Sequence, residues 1–200
     1  MPTIYLMRHG ESVVNIERRL TCRTYDGDLT ERGREQARRA GEWLRDKGIR
    51  QILHSPFHRA RQTADIVGEI VGLTPVADAD LCEMDCGELD GKTSDEAWEV
   101  WGGVYRRWLM HDLDAAFPGG ESYRQARERL TRALAKAVLN EAALLVTHGG
   151  IITTVVPTLC VNAAALQDVQ SVENTGCVVL ETYDADRYSC VAWNLIDHFA

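Results

Sequence analysis

The chain alternates between two periodicities. Apolar runs at Thr3 to Met7, Gln51 to His54 and Ala143 to Thr147 are short and rich in Ile, Leu and Val, the pattern of strands buried on both faces. Between them, small and apolar residues recur at helical spacing. One stretch starts from a Thr30 cap and carries Gly33, Ala37, Ala40, Gly41 and Leu44 up to Gly48, and its small residues predict close packing on a sheet. Another opens at Ser55-Pro56 and runs through Ala64, Ile66, Val67 and Ile70 to Gly72. A tryptophan-rich helix is expected over about Asp95 to Met110, after which Pro118-Gly119-Gly120 breaks the chain. Ser122-Tyr123-Arg124-Gln125 is a capping-box pattern leading a helix to about Asn140. A further helix is expected from about Ile151 to Leu159, and Gly176 to Tyr183 with Tyr188 to Asn194 reads as a closing hairpin around Asp184-Ala185-Asp186.

Residues 73 to 96 are mixed, with Gly87, Gly91 and several carboxylates, and read as a long loop crossing the carboxyl edge of the sheet. Together these elements predict an α/β domain spanning residues 1–200, a three-layer sandwich around a mostly parallel central sheet, with a lid-like insertion near residues 84–122.

Composition narrows the function. The 200 residues are 45% hydrophobic, enough for one core without disulfide staples. A net charge of -8 argues against nucleic acid or an anionic membrane surface, so any anion site must be a local basic pocket. The six cysteines, Cys22, Cys82, Cys86, Cys160, Cys177 and Cys190, lack paired Cys-x-x-Cys spacing and read as reduced small hydrophobes. The first strand starts at residue 3 without a basic-then-apolar leader, and no apolar run approaches the ~20 residues of a membrane span. A cytoplasmic location is therefore expected.

Candidate chemistry collects at the ends of the predicted strands. Arg8-His9-Gly10-Glu11-Ser12 follows the first strand, Ser55 to Ala64 follows the second, and Val146-Thr147-His148-Gly149-Gly150 closes the strand before the Ile151 helix. Parallel strands place such ends along one edge, where open α/β sheets bind ligands. Phosphoryl transfer needs cations and hydrogen-bond donors converging on one nucleophile, and Arg8, His9, Arg59 and His148 supply them. A carboxyl to protonate the departing oxygen is also needed; Glu83 is the first candidate, with Asp85 and Glu88 as competitors. No His-x-x-x-His pair or thiolate spacing suggests zinc, so no metal and no cofactor is expected. His54, His58, His111 and His198 read as surface or packing residues, and Trp98, Trp101 and Trp108 as core packing, with an aromatic wall over the pocket as the other reading.

With these strings the chain resembles the histidine phosphatase superfamily, which contains cofactor-dependent phosphoglycerate mutases and small phosphatases. The signature falls on Arg8-His9-Gly10, the pocket arginine on Arg59 within Ser-Pro-x-x-Arg-Ala-x-Gln-Thr-Ala, and the second histidine on His148 in Thr-His-Gly-Gly. The resemblance implies a phosphoglycerate mutase-like fold, with Glu83 as general acid and Asn15 contacting phosphate. Ser12, Thr21, Arg23 and Gly149 fall at the rim as further substrate-binding candidates. It also implies a phosphohistidine formed on His9 without a metal, then hydrolysed, with a small phosphorylated metabolite and inorganic phosphate as ligands.

Mutases of the family carry an Arg-His-Tyr string after the acidic residue, which Met84-Asp85-Cys86 replaces here, together with a longer insertion and a C-terminal tail. Hydrolysis is therefore favoured over mutase-type phosphotransfer, and an inactive phospholigand-binding member is the third reading. Apolar area at an edge strand leaves room for a homodimer.

Overall fold

A computed structural model describes residues 2–24, 26–139, 141–166, 171–184 and 187–199. Six strands form one sheet: β1 (Thr3–Arg8), β2 (Gln51–His54), β3 (Val76–Ala77), β4 (Ala142–Thr147), β5 (Cys177–Thr182) and β6 (Tyr188–Leu195), in the order β3-β2-β4-β1-β5-β6. The pairs β1/β4, β2/β4 and β2/β3 are parallel, while β5 runs antiparallel to both β1 and β6. The sheet is mostly parallel, as expected. All six residues of β4 are buried, which explains its unbroken apolar sequence.

Among the described residues six α-helices flank this sheet: α1 (Val13–Ile16), α2 (Glu31–Leu44), α3 (His58–Val71), α4 (Asp95–Leu109), α5 (Tyr123–Ala137) and α6 (Gly149–Val155). Alternate residues of β1, β2 and β4 feed separate cores. Met7, Ile52, Leu144 and Val146 pack with Ala40 and Leu44 of α2 and Ala60, Ala64 and Val67 of α3. Ile4, Leu6, Leu53 and Leu145 pack on the other face with residues of α4, α5 and α6. These are the three layers.

Several boundaries differ from the expected ones for local reasons. The α3 helix starts at His58, because the Ser55 N–H still bonds to the Val146 carbonyl and Phe57 is extended. The α2 helix ends at Leu44 and the chain turns through Gly48, which holds φ +69°. The α6 helix begins two residues early, at Gly149, and tightens into a 3₁₀ turn over Val156–Leu159, where Pro157 has no N–H to continue it. The α5 helix ends at Ala137, before the expected Asn140, which itself lies outside the described residues. Within 73–96 the structure adds β3 and two 3₁₀ turns to the expected loop. The hairpin joining β5 and β6 forms, though Ala185 and Asp186 at its tip lie outside the described residues. Among the described residues, no helix is long and apolar enough to cross a membrane.

Register explains why distant motifs meet. Arg8 is the Cα partner of Thr147, and His54 that of Val146, so the residues that follow β1, β2 and β4 leave the sheet side by side.

Candidate active site

His9 follows β1 with its backbone N–H donating to the Thr147 carbonyl, and its side chain is only 3% exposed. Its ring has a defined tautomer. Nδ1 lies 2.7 Å from the Gly10 carbonyl oxygen, which can only accept, so Nδ1 carries the proton. Nε2 then holds the lone pair, and Arg59 Nε donates to it at 3.1 Å. Burial, then the charges of Arg59 and Arg8, hold the His9 pKa well below the ordinary imidazole value. The ring is a neutral, oriented nitrogen base.

Arg59, in the first turn of α3, is 2% exposed and anchored from several sides. Its Nη1 pairs with Asp26 Oδ1 at 2.8 Å, its Nη2 donates to the Thr21 carbonyl at 3.2 Å, and its guanidinium lies 5.1 Å from the Phe57 ring centre. Thr63, one turn later, donates to the Arg59 carbonyl and accepts from the Gly10 N–H, tying α3 to the loop after His9.

Arg8 sends Nη1 to the Val172 carbonyl, and its buried Nε has no protein partner among the described residues. A Cβ on Gly149 would sit 3.1 Å from Arg8 Cδ and Nε, so glycine is what lets this arginine pass over the start of α6. His148 is fully buried behind His9, with ring centres 5.3 Å apart. Its Nε2 shares a hydrogen bond with Ser55 Oγ at 2.8 Å, its Nδ1 is buried without a partner among the described residues, and burial followed by Arg59 lowers its pKa strongly. Glu83 reaches the same edge from the loop before α4. One carboxylate oxygen accepts from Gly150 N–H at 2.9 Å, the other from Ile151 N–H at 2.8 Å and Met84 N–H at 2.9 Å. A Cβ on Gly150 would lie 2.8 Å from Glu83 Oε1, so this close approach also depends on glycine.

Arg8, His9, Arg59, Glu83, Asn15, Thr21 and Gly149 all line one cavity of about 510 Å³, whereas His148 supports it from beneath. Asn15 Oδ1 accepts from the Ser12 hydroxyl and from Asn174 Nδ2, which also donates to the His9 carbonyl. Ser12 and Arg23 are placed elsewhere. Ser12 is fully buried and spends its hydroxyl on Asn15, while exposed Arg23 pairs with Asp85 and the Gly119 carbonyl. Trp98 and Trp101 line the cavity with Tyr105, and Trp108 is a core residue against Phe117 and Tyr123. Both readings of the tryptophans therefore hold, for different members. Asp26, Asn174 and Arg129 support the site without having stood out in sequence, since each acts through contacts to residues remote in the chain.

The model of the histidine phosphatase superfamily, branch 1, matches residues 4–196. The chain belongs to this superfamily. A probable phosphoglycerate mutase GpmB of Klebsiella pneumoniae is 39% identical over 152 residues, 74% of this chain and 70% of that one. The structure of mycobacterial glucosyl-3-phosphoglycerate phosphatase in complex with VO3 is similar with TM-score 0.81 at 27% identity, covering 97% of this chain and 99% of that one. Phosphoglycerate mutase of Bacillus anthracis shares the fold, with TM-score 0.83 at 24% identity over 98% and 94% of the two chains. Phosphatases and mutases are thus both among the superfamily relatives of this chain.

Proposed function

We propose that the protein is a phosphomonoester hydrolase that cleaves small organic phosphates through a phosphohistidine on His9. The observation that carries this reading is the Nε2 lone pair of His9, held neutral and met by Arg59 inside a cavity also lined by Arg8 and Glu83. An entering phosphoryl group takes over the Arg59 donor and frees the lone pair. Nε2 then attacks phosphorus, the ester P–O bond breaks, and Glu83 gives its proton to the leaving oxygen. In the second half Glu83 removes a proton from water, the new O–P bond forms as the N–P bond breaks, and inorganic phosphate leaves. Arg8 and Arg59 supply the positive charge that the equatorial oxygens require, so the proposed chemistry needs no metal.

Residues 84–122 are the proposed lid of this single domain, because α4 brings Trp98, Trp101 and Tyr105 to the cavity wall. An apolar wall facing two arginines suits a small phosphorylated metabolite of the cytoplasm with an organic body. The relationship to the probable phosphoglycerate mutase favours a second reading, isomerisation of a phosphoglycerate primed by a bisphosphate. The test is inorganic phosphate release by wild type and His9→Ala across aryl, sugar, nucleotide and glycerate phosphates in the presence of a chelator. Release lost in His9→Ala supports hydrolysis. Isomer formation from 3-phosphoglycerate with 2,3-bisphosphoglycerate, without phosphate release, would replace it with the mutase.

A further inference from the structure

Two cysteines stand in the wall of the active-site cavity. Cys22 and Cys86 both line it, are 5% and 3% exposed, and place their sulfurs 2.6 Å apart although 64 residues separate them in sequence. The loops that carry them are already joined around this contact. Leu20 N–H donates to the Lys92 carbonyl and Gly91 N–H to the Leu20 carbonyl, while the backbone N–H groups of Cys22, Arg23 and Thr24 all donate to the Asp90 carboxylate. Cys86 N–H also donates to Cys22 Sγ at 3.0 Å.

Among the described residues, Cys22, Cys86 and Asp90 are the group whose ligand atoms lie close enough to share a metal ion. The geometry argues against that use. Two thiolates on a tetrahedral zinc, each at about 2.3 Å from it, stand roughly 3.8 Å apart, so the sulfurs would have to separate. Asp90 is also engaged, accepting from three backbone N–H groups and the Thr24 hydroxyl. A covalent S–S bond requires the opposite movement, inward to about 2.05 Å, between segments that are already held together.

We propose that Cys22 and Cys86 form a reversible disulfide across the active-site wall, with hydrogen peroxide as oxidant, and that this oxidation slows turnover. Both cysteines line a cavity of about 510 Å³, which has room for a molecule of that size. Cys86, as thiolate, attacks the peroxide: an S–O bond forms, the O–O bond breaks, and the released hydroxide becomes water with the proton Cys86 gave up. The Cys22 sulfur then attacks the Cys86 sulfenic acid, the S–S bond forms, the S–O bond breaks, and the Cys22 proton leaves with the hydroxyl as a second water. Two thiols are oxidised, one peroxide is reduced, and a thiol reductant reverses the change. The hydrogen bond to Cys86 and burial push the Cys22 thiol up, in keeping with Cys22 as the sulfur that keeps its proton until the second step.

The consequence for turnover rests on the hydrolase reading above. Thr21, beside Cys22, gives its carbonyl to Arg59, and Glu83 lies three residues before Cys86, so drawing the sulfurs together shifts both sides of the reacting centre. Displacements below an ångström at such a centre lower rates by about tenfold.

The test treats reduced protein with hydrogen peroxide, blocks free thiols, and reads non-reduced peptides by mass spectrometry alongside kcat/KM on an aryl phosphate. A Cys22–Cys86 linked peptide, with about a tenfold loss of kcat/KM restored by dithiothreitol, is expected. Cys22→Ser and Cys86→Ser should each keep their own untreated rate under peroxide. Absence of the linked peptide, a linked peptide with unchanged kcat/KM, or variants that lose as much rate to peroxide as the wild type would overturn the proposal. The peptide is read without any turnover, so an inactive reduced protein would overturn the hydrolase reading while the disulfide itself is still decided.

Discussion

Arg129 of α5 lies under Glu83, its Nη2 donating to the Glu83 carbonyl oxygen at 3.0 Å. The same guanidinium holds the Asp80 and Cys82 carbonyls through Nη1 and pairs with Glu121 at 2.6 Å. Glu121 in turn accepts the Asp85 N–H, so one ion pair, 13% exposed on each side, grips the loop on both sides of Glu83. Arg129→Met should lower kcat about tenfold with little change in KM, because the group displaced is the proposed proton donor and not the proposed phosphate cradle. It should also destabilise the fold by about 3 to 5 kcal/mol by leaving Glu121 buried without its partner. Steady-state kinetics and urea unfolding read the two effects separately.

Arg59 is expected to tolerate no replacement. Its three nitrogens serve His9, Asp26 and Thr21 at once, a fork that a lysine ammonium cannot reproduce. Arg59→Lys should cost roughly 100-fold or more in kcat/KM. Asp26→Asn keeps an acceptor but removes its charge, and a loss of about tenfold is expected. Equal rates for Asp26→Asn and wild type would remove Asp26 from the positioning of Arg59.

Glu83→Gln separates proton donation from packing. The amide keeps one oxygen, for the Ile151 and Met84 N–H groups, but loses the acceptor of the Gly150 N–H and cannot protonate a leaving alkoxide. Alkyl phosphates should slow by about 100 to 10,000-fold, and aryl phosphates, whose leaving groups need no proton, far less. Equal slowing of both classes would take the acid role from Glu83.

His9 and His148 make stability depend on pH. Both are buried and hold their pKa values well below the ordinary 6.5, so between their folded pKa values and 6.5 the unfolded chain binds protons that the folded chain refuses. Stability is therefore fully present above pH 6.5 and falls as the pH drops below it, by about 1.4 kcal/mol per pH unit for each histidine. Urea midpoints measured between about pH 7.5 and 5.5 give the slope. His148→Gln should lower the slope by about 1.4 kcal/mol per pH unit; an unchanged slope would mean that His148 is not excluded from protonation.

The local periodicities were sufficient for the layers of this fold. The apolar run of β4, the Thr30 cap, the Ser122-Gln125 capping box and the glycine after α3 are all short-range signals, and each element appears close to its expected place. Strand ends next to Arg8-His9, Ser55-Arg59 and His148 were legible for the same reason, since parallel strands bring their carboxyl ends to one edge whatever the connections. The two-residue β3 was not, because its pairing with β2 is non-local and its residues are exposed.

Chain chemistry alone thus determined the strand-and-helix order and the cluster of histidines, arginines and acid at one sheet edge, through patterns a few residues long. Long-range contact decided the rest. Only the packed molecule turns Ser12 away from the cavity, binds Arg23 to Asp85, sets Asp26 on Arg59, and orients the His9 lone pair by placing Gly10 and Arg59 on opposite ring nitrogens. It alone brings Cys22 against Cys86. These relationships depend on distances between segments many residues apart, which the packing of sheet, helices and loops sets and no local pattern encodes.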